Sequence, residues 1–230
     1  LLEREVAGAA PAVLLIPADR EALGDAVSAA AGKTTLVTVE TDMTAWGAAA
    51  SITMDHQALG EALGAAALNG VPAGGTVLLL DSLPGDNGIR ERMEAAKTVL
   101  EREGRQVRVY KWDPDTTALP DILRIERPRA IIAFEAAALA DIAELSRGED
   151  TFPLLYGCGS TSGIAAALEK GRVTAITAVN VFSAGYLAVE AAAALARHED
   201  WTAAAPVAFS IVRQETMYDS DNQKLLFPVT

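Results

Sequence analysis

Short apolar runs alternate with segments of helical period along most of the chain, and this alternation limits the fold more than any other feature. The apolar runs predict strands at residues 12–16, 35–39, 51–54, 76–80, 106–110, 130–134, 153–156, 173–178 and 207–212. The segments between them predict helices at residues 21–31, 57–68, 88–103, 136–145, 161–170 and 183–196. The runs between residues 76 and 156 are continuously apolar, which predicts strands buried on both faces. Strands that alternate with helices favour an α/β fold with parallel sheets and right-handed crossovers.

Two interruptions of this alternation indicate two α/β lobes. Strands 35–39 and 51–54 are separated by a short polar loop, residues 40–47, with no helix. After the last long helix, a loop leads to the lone strand 207–212. We interpret both places as passages between lobes, and the tail at residues 218–230 as an arm packed on the body.

Composition and charge exclude several functional classes. The 230 residues carry a net charge of -12, and nucleic-acid binding normally needs a basic face. Cys158 is the only cysteine, so neither an internal disulfide nor a multi-cysteine metal site is possible. His56 and His198 are the only histidines. We therefore expect no metal site, no cofactor and no nucleic-acid partner for this chain.

No apolar run approaches the ~18 residues that a membrane-spanning helix requires. Residues 1–8 carry charges in a helical pattern, unlike a signal peptide. We expect any export signal or membrane anchor to lie upstream of this sequence.

Residues 172–193 (RVTAITAVNVFSAGYLAVEAAA) form a strand, a polar break and an alanine-rich helix. Asn180 and Phe182 lie in the break, where α/β proteins commonly place ligand contacts.

Five motifs follow one another along the chain: 12–19 (AVLLIPAD), 36–42 (LVTVETD), 52–60 (ITMDHQALG), 87–95 (NGIRERMEA) and 171–186 (GRVTAITAVNVFSAGY). In this order they resemble the type I periplasmic sugar-binding proteins, of the ribose- and galactose-binding kind, and the related ligand domains of the lactose-repressor family. The resemblance implies two Rossmann-like lobes joined by a hinge of several crossovers, with residues 180–182 as one hinge segment. It also implies that a strand, a helix and a second strand precede residue 1 in family members, so that the first lobe is incomplete as supplied. The expected lobes are residues 1–49 with 181–206 and residues 50–180 with 207–217, followed by the arm at 218–230.

In the family, the ligand lies between the lobes, against the carboxyl ends of strands. The resemblance therefore makes candidate ligand contacts of Glu40, Asp42 and Trp46 from the first lobe, Arg92, Trp112, Glu135 and Cys158 from the second, and Asn180 at the crossover. Arg92 matches an arginine whose planar fork of donors suits sugar hydroxyls or carboxylates. Trp46 and Trp112 follow strand ends, where an aromatic plate can pack on a sugar ring.

Each candidate also has a purely structural interpretation. Arg92 could be a solvated residue on a helix face, and Glu40 and Asp42 could be cap or hinge carboxylates. Both tryptophans could be packing residues. Glu135 stands where the family often has Asn, Cys158 where it often has Asp, and Val179 where it commonly has Gln. These departures alter the set of hydrogen-bond donors and acceptors expected around the ligand.

An enzyme using the glycine-rich loop 157–163 (GCGSTSG) is the alternative from another functional class. The loop lies between a strand and a helix and could cradle a phosphate. However, no acidic residue ends the next strand, and the loop lacks the G-x-S-x-G nucleophile elbow. Cys158 has no histidine paired with it by sequence spacing.

The sequence thus predicts an extracytoplasmic solute-binding domain that takes a small polar ligand, such as a sugar or polyol, without reacting with it. The expected partner is an ABC permease or a membrane sensor module. The alternative within the family is the effector domain of a lactose-repressor-type regulator, which would have a helix-turn-helix upstream.

Overall fold

A computed structural model describes residues 2–113, 115, 118–149, 151–202 and 205–227. Its strands are β1 (Ala12–Leu15), β2 (Thr35–Glu40), β3 (Ala50–Thr53), β4 (Thr76–Asp81), β5 (Gln106–Lys111), β6 (Ala130–Ala133), β7 (Leu154–Cys158), β8 (Ala175–Val179) and β9 (Phe209–Val212). Its α-helices are α1 (Leu2–Ala7), α2 (Arg20–Ala30), α3 (His56–Leu68), α4 (Asn87–Arg102), α5 (Leu119–Glu126), α6 (Ala136–Leu145), α7 (Ser162–Glu169), α8 (Val181–Ala196) and α9 (Ser220–Leu226). Short 3₁₀ turns lie at Thr44–Trp46 and Gln214–Thr216.

The chain divides into two compact units. The first comprises Leu1–Asp55, Gly85–Gly88 and Asn180–Ala208, and the second comprises His56–Pro84, Ile89–Val179 and Phe209–Thr230. Each unit has its own sheet, as expected for two Rossmann-like lobes. The predicted α/β fold with parallel sheets is therefore confirmed.

In the first unit, the described strands form a parallel sheet in the order β1-β2-β3. Helix α8 packs on all three strands. It does so through the alanines Ala184, Ala188, Ala191 and Ala192, which are buried. Their small side chains recur with helical spacing, so the helix axis can approach the sheet closely.

In the second unit, the described strands form a sheet in the order β5-β4-β6-β7-β8-β9. All neighbours are parallel except β8 and β9, which are antiparallel. Strands β4 and β6 lie inside the sheet, and their apolar residues are almost completely buried. This matches the expectation that continuous apolar strands are covered on both faces.

Strand β5 departs from that expectation. It is the edge strand of its sheet. Of its six residues, Val107 and Tyr110 are half-buried and the other four are exposed. Val109 is 49% exposed. The prediction of burial on both faces is wrong for β5, because the elements above and below the sheet leave most of this edge strand uncovered.

The lobe boundaries differ from those expected in several places, and Asn180, which was expected in the second lobe, belongs to the first unit. Strand β3 belongs to the first unit because it pairs with β2, whereas residues 50–55 were expected in the second lobe. Val207 also belongs there, because its backbone N–H donates to the Thr53 carbonyl at 2.9 Å. Residues Gly85–Gly88 join the first unit too. The expected arm contains α9, whose Leu226 is buried against the second unit's core.

Candidate ligand-binding site

Asp42 lies just beyond the carboxyl end of β2 and is exposed. Its carboxylate accepts hydrogen bonds from the backbone N–H and the hydroxyl of Thr44, both at 2.8 Å. The backbone bond is the main cause that lowers the pKa of Asp42, so this side chain stays ionised. Asp42 therefore fixes the backbone that leads into the 3₁₀ turn and presents a negative charge at this edge of the sheet.

Glu40 ends β2 with a φ of 71°, in the left-handed region that non-glycine residues seldom adopt. Its carbonyl accepts the N–H of Met54 at 3.3 Å, which ties the turn after β2 to the turn after β3. Its side chain is half-buried. The backbone turns sharply here, so the chain leaves the sheet just before Asp42.

Arg20, which the sequence analysis did not single out, is a further polar residue at the carboxyl edge of the first unit's sheet. It is the first residue of α2, and its guanidinium charge contributes to the lowered pKa of Asp42. Its backbone N–H donates to the side-chain carbonyl of Asn87 at 2.6 Å. The signal in the sequence was its place directly after the PAD turn that follows the first strand.

Asn87 is 1% exposed, and three hydrogen bonds hold it to other residues of the first unit. Besides accepting from Arg20, its side-chain amide donates to Glu21 at 3.1 Å, and its backbone N–H donates to the Ala18 carbonyl at 2.8 Å. The Asn87 bond is also the main cause that lowers the pKa of Glu21. Asn87 therefore fixes the turn from β1 into α2, on which Arg20 stands.

Asn180 caps helix α8 in the first unit. Its side-chain oxygen accepts the Ser183 N–H at 2.9 Å, and its own N–H donates to the Ala208 carbonyl at 3.3 Å. The side chain is half-buried. The residue expected as a ligand contact and hinge is thus also the helix N-cap, a role that asparagine fills well.

In the second unit, Arg92 is held at the carboxyl end of β6. Its Nε donates to His56 Nδ1, and its Nη1 donates to the Phe134 carbonyl, both at 3.1 Å. His56 is 5% exposed and Phe134 is fully buried, so both acceptors are fixed by the core. The interpretation of Arg92 as a solvated residue on a helix face is therefore wrong.

Glu135 follows Phe134 and caps helix α6. Its carboxylate accepts the Ala137 N–H at 3.3 Å, and its side chain is half-buried. Arg92 donates to the carbonyl of Phe134, the residue before Glu135, so a guanidinium donor and a carboxylate acceptor both lie at the carboxyl end of β6. Donors and acceptors in this arrangement suit the hydroxyls of a small polar ligand.

Cys158 ends β7 and faces the core rather than solvent. It is 6% exposed, and its sulfur accepts a hydrogen bond from the Thr177 hydroxyl at 3.1 Å. Its neighbours are buried apolar residues. A buried thiol held in this way behaves as a small packing group.

The two candidate tryptophans are buried to different degrees. Trp112 is 6% exposed and belongs to the second unit's core. A sugar ring needs an exposed aromatic face, so this burial favours the packing interpretation of Trp112. Trp46 is half-buried against α2, where a Cβ at Gly24 would come within 2.3 Å of the indole nitrogen.

The glycine-rich loop after β7 also has a packing explanation. A Cβ at Gly157 would lie 2.5 Å from the Ala133 carbonyl oxygen, which belongs to the neighbouring strand. Gly159 has a φ of 126°, and a Cβ there would lie 2.7 Å from the Ala136 Cβ. The loop then ends at Thr161, whose hydroxyl caps α7. Close backbone packing, rather than a phosphate, accounts for these two glycines.

Two further features of the described residues concern metal binding and membrane insertion. In this part of the chain, no group of three histidine, cysteine or acidic side chains is arranged to hold a metal ion. Over the same residues, no helix is long and apolar enough to cross a membrane.

Solved structures of solute-binding proteins share this fold. An ABC transporter solute-binding protein from Agrobacterium vitis, solved with bound D-fucose, has a TM-score of 0.89 and 17% identity, over 98% of this chain and 82% of that chain. A carbohydrate transporter solute-binding protein from Agrobacterium radiobacter, in complex with D-arabinose, has a TM-score of 0.89 and 18% identity, over 98% and 81%. A protein described as a LacI-type transcriptional regulator, from Bacteroides fragilis, has a TM-score of 0.80 and 13% identity, over 94% and 79%.

Sequence comparison gives the family directly. No curated protein sequence matches the chain. The sequence profile of the periplasmic binding protein domain, by contrast, matches residues 1–200 of the 230. The match covers most of both units, and the chain belongs to the periplasmic binding protein domain family.

Proposed function

We propose that this chain is an extracytoplasmic solute-binding domain that takes a small sugar or polyol. The observation that carries the proposal is the family match over residues 1–200. Two proteins of the same fold were solved with D-fucose and D-arabinose bound, which points to sugars as the first ligands to test.

The polar residues at the carboxyl edges of the two sheets supply suitable chemistry. The proposed contacts are Glu40, Asp42 and Asn180 in the first unit and Arg92 and Glu135 in the second. Carboxylates accept hydrogen bonds from sugar hydroxyls, and such charge-assisted bonds are about twice as strong as neutral ones. Several of these side chains are held in place by hydrogen bonds to backbone groups, so little side-chain entropy is lost on binding.

We propose that the domain does not transform its ligand. The thiol of Cys158 is buried and accepts from Thr177, and the glycines beside it are explained by packing. A nucleophile needs an adjacent base and access to substrate, and Cys158 is shut off from solvent. Binding without turnover is also what a solute-binding family would do.

Binding can be tested by thermal denaturation with D-fucose and D-arabinose. A ligand that binds only the folded state, present at about 100 times its Kd, should stabilise the chain by about 2.7 kcal/mol. We expect at least one of the two sugars to raise the melting temperature in a concentration-dependent manner. The recovered sugar should be chemically unchanged.

Trimethylamine N-oxide, an osmolyte without hydroxyl groups, is the control for non-specific stabilisation at equal concentration. No specific shift with either sugar would contradict the sugar proposal. A shift accompanied by conversion of the sugar would instead favour the enzyme alternative.

Asp42→Asn should weaken binding of the sugar by about tenfold, equal to about 1.4 kcal/mol. The amide oxygen of asparagine can still accept from Thr44, so the fold should be kept while the charged acceptor is lost. Asp25→Asn is the matched control, because Asp25 is an exposed residue on α2 of the same unit and the charge change is identical. Isothermal titration calorimetry would measure both; equal affinities for the two variants would argue against a role for Asp42.

We propose that the bound state is passed on to an ABC permease or to a membrane sensor module. The similarity to a LacI-type regulator supports a second candidate function, the effector domain of a repressor. The two differ in what the gene encodes upstream of this sequence: an export signal or anchor supports the first, and a helix-turn-helix that binds operator DNA supports the second.

A further inference from the structure

A cavity lies in the second unit, at the opposite end of its strands from Arg92 and Glu135. Its volume is about 680 Å³, within the usual range for sites that bind small molecules. It is lined by residues of α5 and by the segments that lead into the amino ends of β6 and β7. Since β6 has four residues at roughly 3.3 Å each, the cavity lies about 13 Å along the sheet from Glu135.

The floor of this cavity is apolar and fixed. Leu119 is buried in the core of the second unit, and Leu123 and Phe152 pack against that core. Leu145 also lines the cavity, and its side chain is 51% exposed. An exposed leucine in a concave wall is a surface that an apolar ligand group would cover.

The rim carries three arginines, Arg124, Arg127 and Arg129, on a chain whose net charge is -12. Among the described residues, Arg127 and Arg129 form no ion pair. Arg124 pairs with Asp121 at 3.1 Å, but both side chains are more than 70% exposed, and such a surface pair is easily given up. Glu149 is the one acidic residue in the described lining. The rim is therefore a local positive field on an acidic protein.

The backbone holds two of these arginines in place. Arg127 ends α5 with a φ of 44°, a conformation in which glycine or asparagine is usual, and its N–H donates to the Leu123 carbonyl at 3.0 Å. Arg129 is fixed on both sides: its N–H donates to Thr76 and its carbonyl accepts from Leu154. Glycine would fit the backbone conformation of Arg127 better, so we infer that its guanidinium group has a function.

We propose that this cavity is a second binding site, for a small organic acid with a carboxylate and an apolar body. The arginines match a carboxylate, because their planar donors bind its two oxygens as a pair. The apolar floor would take the rest of the molecule. The site shares no residue with the candidate sugar contacts, so both ligands should bind at the same time.

The test uses 3-phenylpropionate as the probe, and 3-phenylpropanol as its neutral counterpart with the same apolar body. In calorimetric titrations of the whole chain, the acid should bind at least about tenfold more tightly than the alcohol. Saturating D-arabinose or D-fucose should not displace it.

Two variants separate binding from folding. Arg127→Gly suits the left-handed backbone, so it should keep or raise the melting temperature while lowering the affinity for 3-phenylpropionate. The double variant with Arg129→Gln should bind 3-phenylpropionate at least about tenfold more weakly than the parent chain. Leu145→Asp, at an exposed position, should have a similar effect by placing a negative charge in the floor. Arg102→Gln, an exposed arginine on α4 outside the cavity, should leave the affinity unchanged.

Equal affinity for the acid and the alcohol would overturn the proposal. So would a double variant that binds the acid as tightly as the parent chain, or no binding of the acid at concentrations up to about 10 mM.

Discussion

Replacing Gly60 with alanine should destabilise the chain by about 3 kcal/mol, the upper part of the range for overpacked cores. Gly60 lies on α3, where a Cβ would come within 2.1 Å of the Arg92 carbonyl oxygen and 2.8 Å of the Arg92 Cα. The obstacle is backbone, so no side-chain rotation can relieve it. Helix α4 would have to move, although Ile89, Met93 and Ala96 anchor it in the core. Urea denaturation monitored by circular dichroism would measure the loss.

Gly163→Ala is the matched control for Gly60→Ala. Gly163 lies on α7 and is exposed, and a Cβ there would meet no atom within 4 Å. Alanine is favoured over glycine in a helix by about 0.5–1 kcal/mol, so this variant should be more stable than the parent. Similar stability of the two alanine variants would contradict the close approach of α3 and α4 at Gly60.

Trp112→Ala should lower the free energy of unfolding by about 3–5 kcal/mol, the usual cost of deleting a buried large aromatic side chain. Trp112 packs in the second unit's core with Leu78, Leu80 and Leu119, and a cavity would remain where the indole was. The prediction follows from its burial, since an exposed tryptophan serving as a plate for a sugar would lose little stability on truncation. Denaturant titration gives the value directly.

Trp112→Phe should recover much of this loss, because it keeps an aromatic ring in the core. Its affinity for the sugar should equal that of the parent chain. A Trp112→Ala variant that remained fully stable but no longer bound sugar would restore the original interpretation of Trp112 as a ligand contact.

The location of strands and helices could be predicted where the pattern was local. Strand β4 and helix α6 fall close to the predicted ranges, because their apolar residues follow one period throughout. Helix α5 was not predicted: it has eight residues and a proline in its first turn, too short for a clear periodic signal. Strand β5 was placed correctly but expected to be buried, because sequence does not tell an edge strand from a central one.

The candidate site could be predicted only in outline. Asp42, Glu135 and Asn180 were picked out because polar residues follow strand ends, and in the structure each side chain accepts a backbone N–H of the segment that follows. The hydrogen-bond partners of Arg92 could not be predicted, because His56 lies 36 residues away in the chain. Asn87 was missed as the support of Arg20 for the same reason, at a separation of 67 residues.

The sequence by itself therefore determined the α/β class, the order of its elements and the strand ends where polar residues gather. These depend on the period of apolar residues and on local turn chemistry, which a linear sequence contains. Only the tertiary structure decided that Trp112 and Cys158 face the core and that Arg92 donates to His56 and to the Phe134 carbonyl. The same holds for the three arginines that line the cavity beside α5. Those outcomes depend on which strands become neighbours and how closely helices approach, and both are set by contacts between residues far apart in the chain.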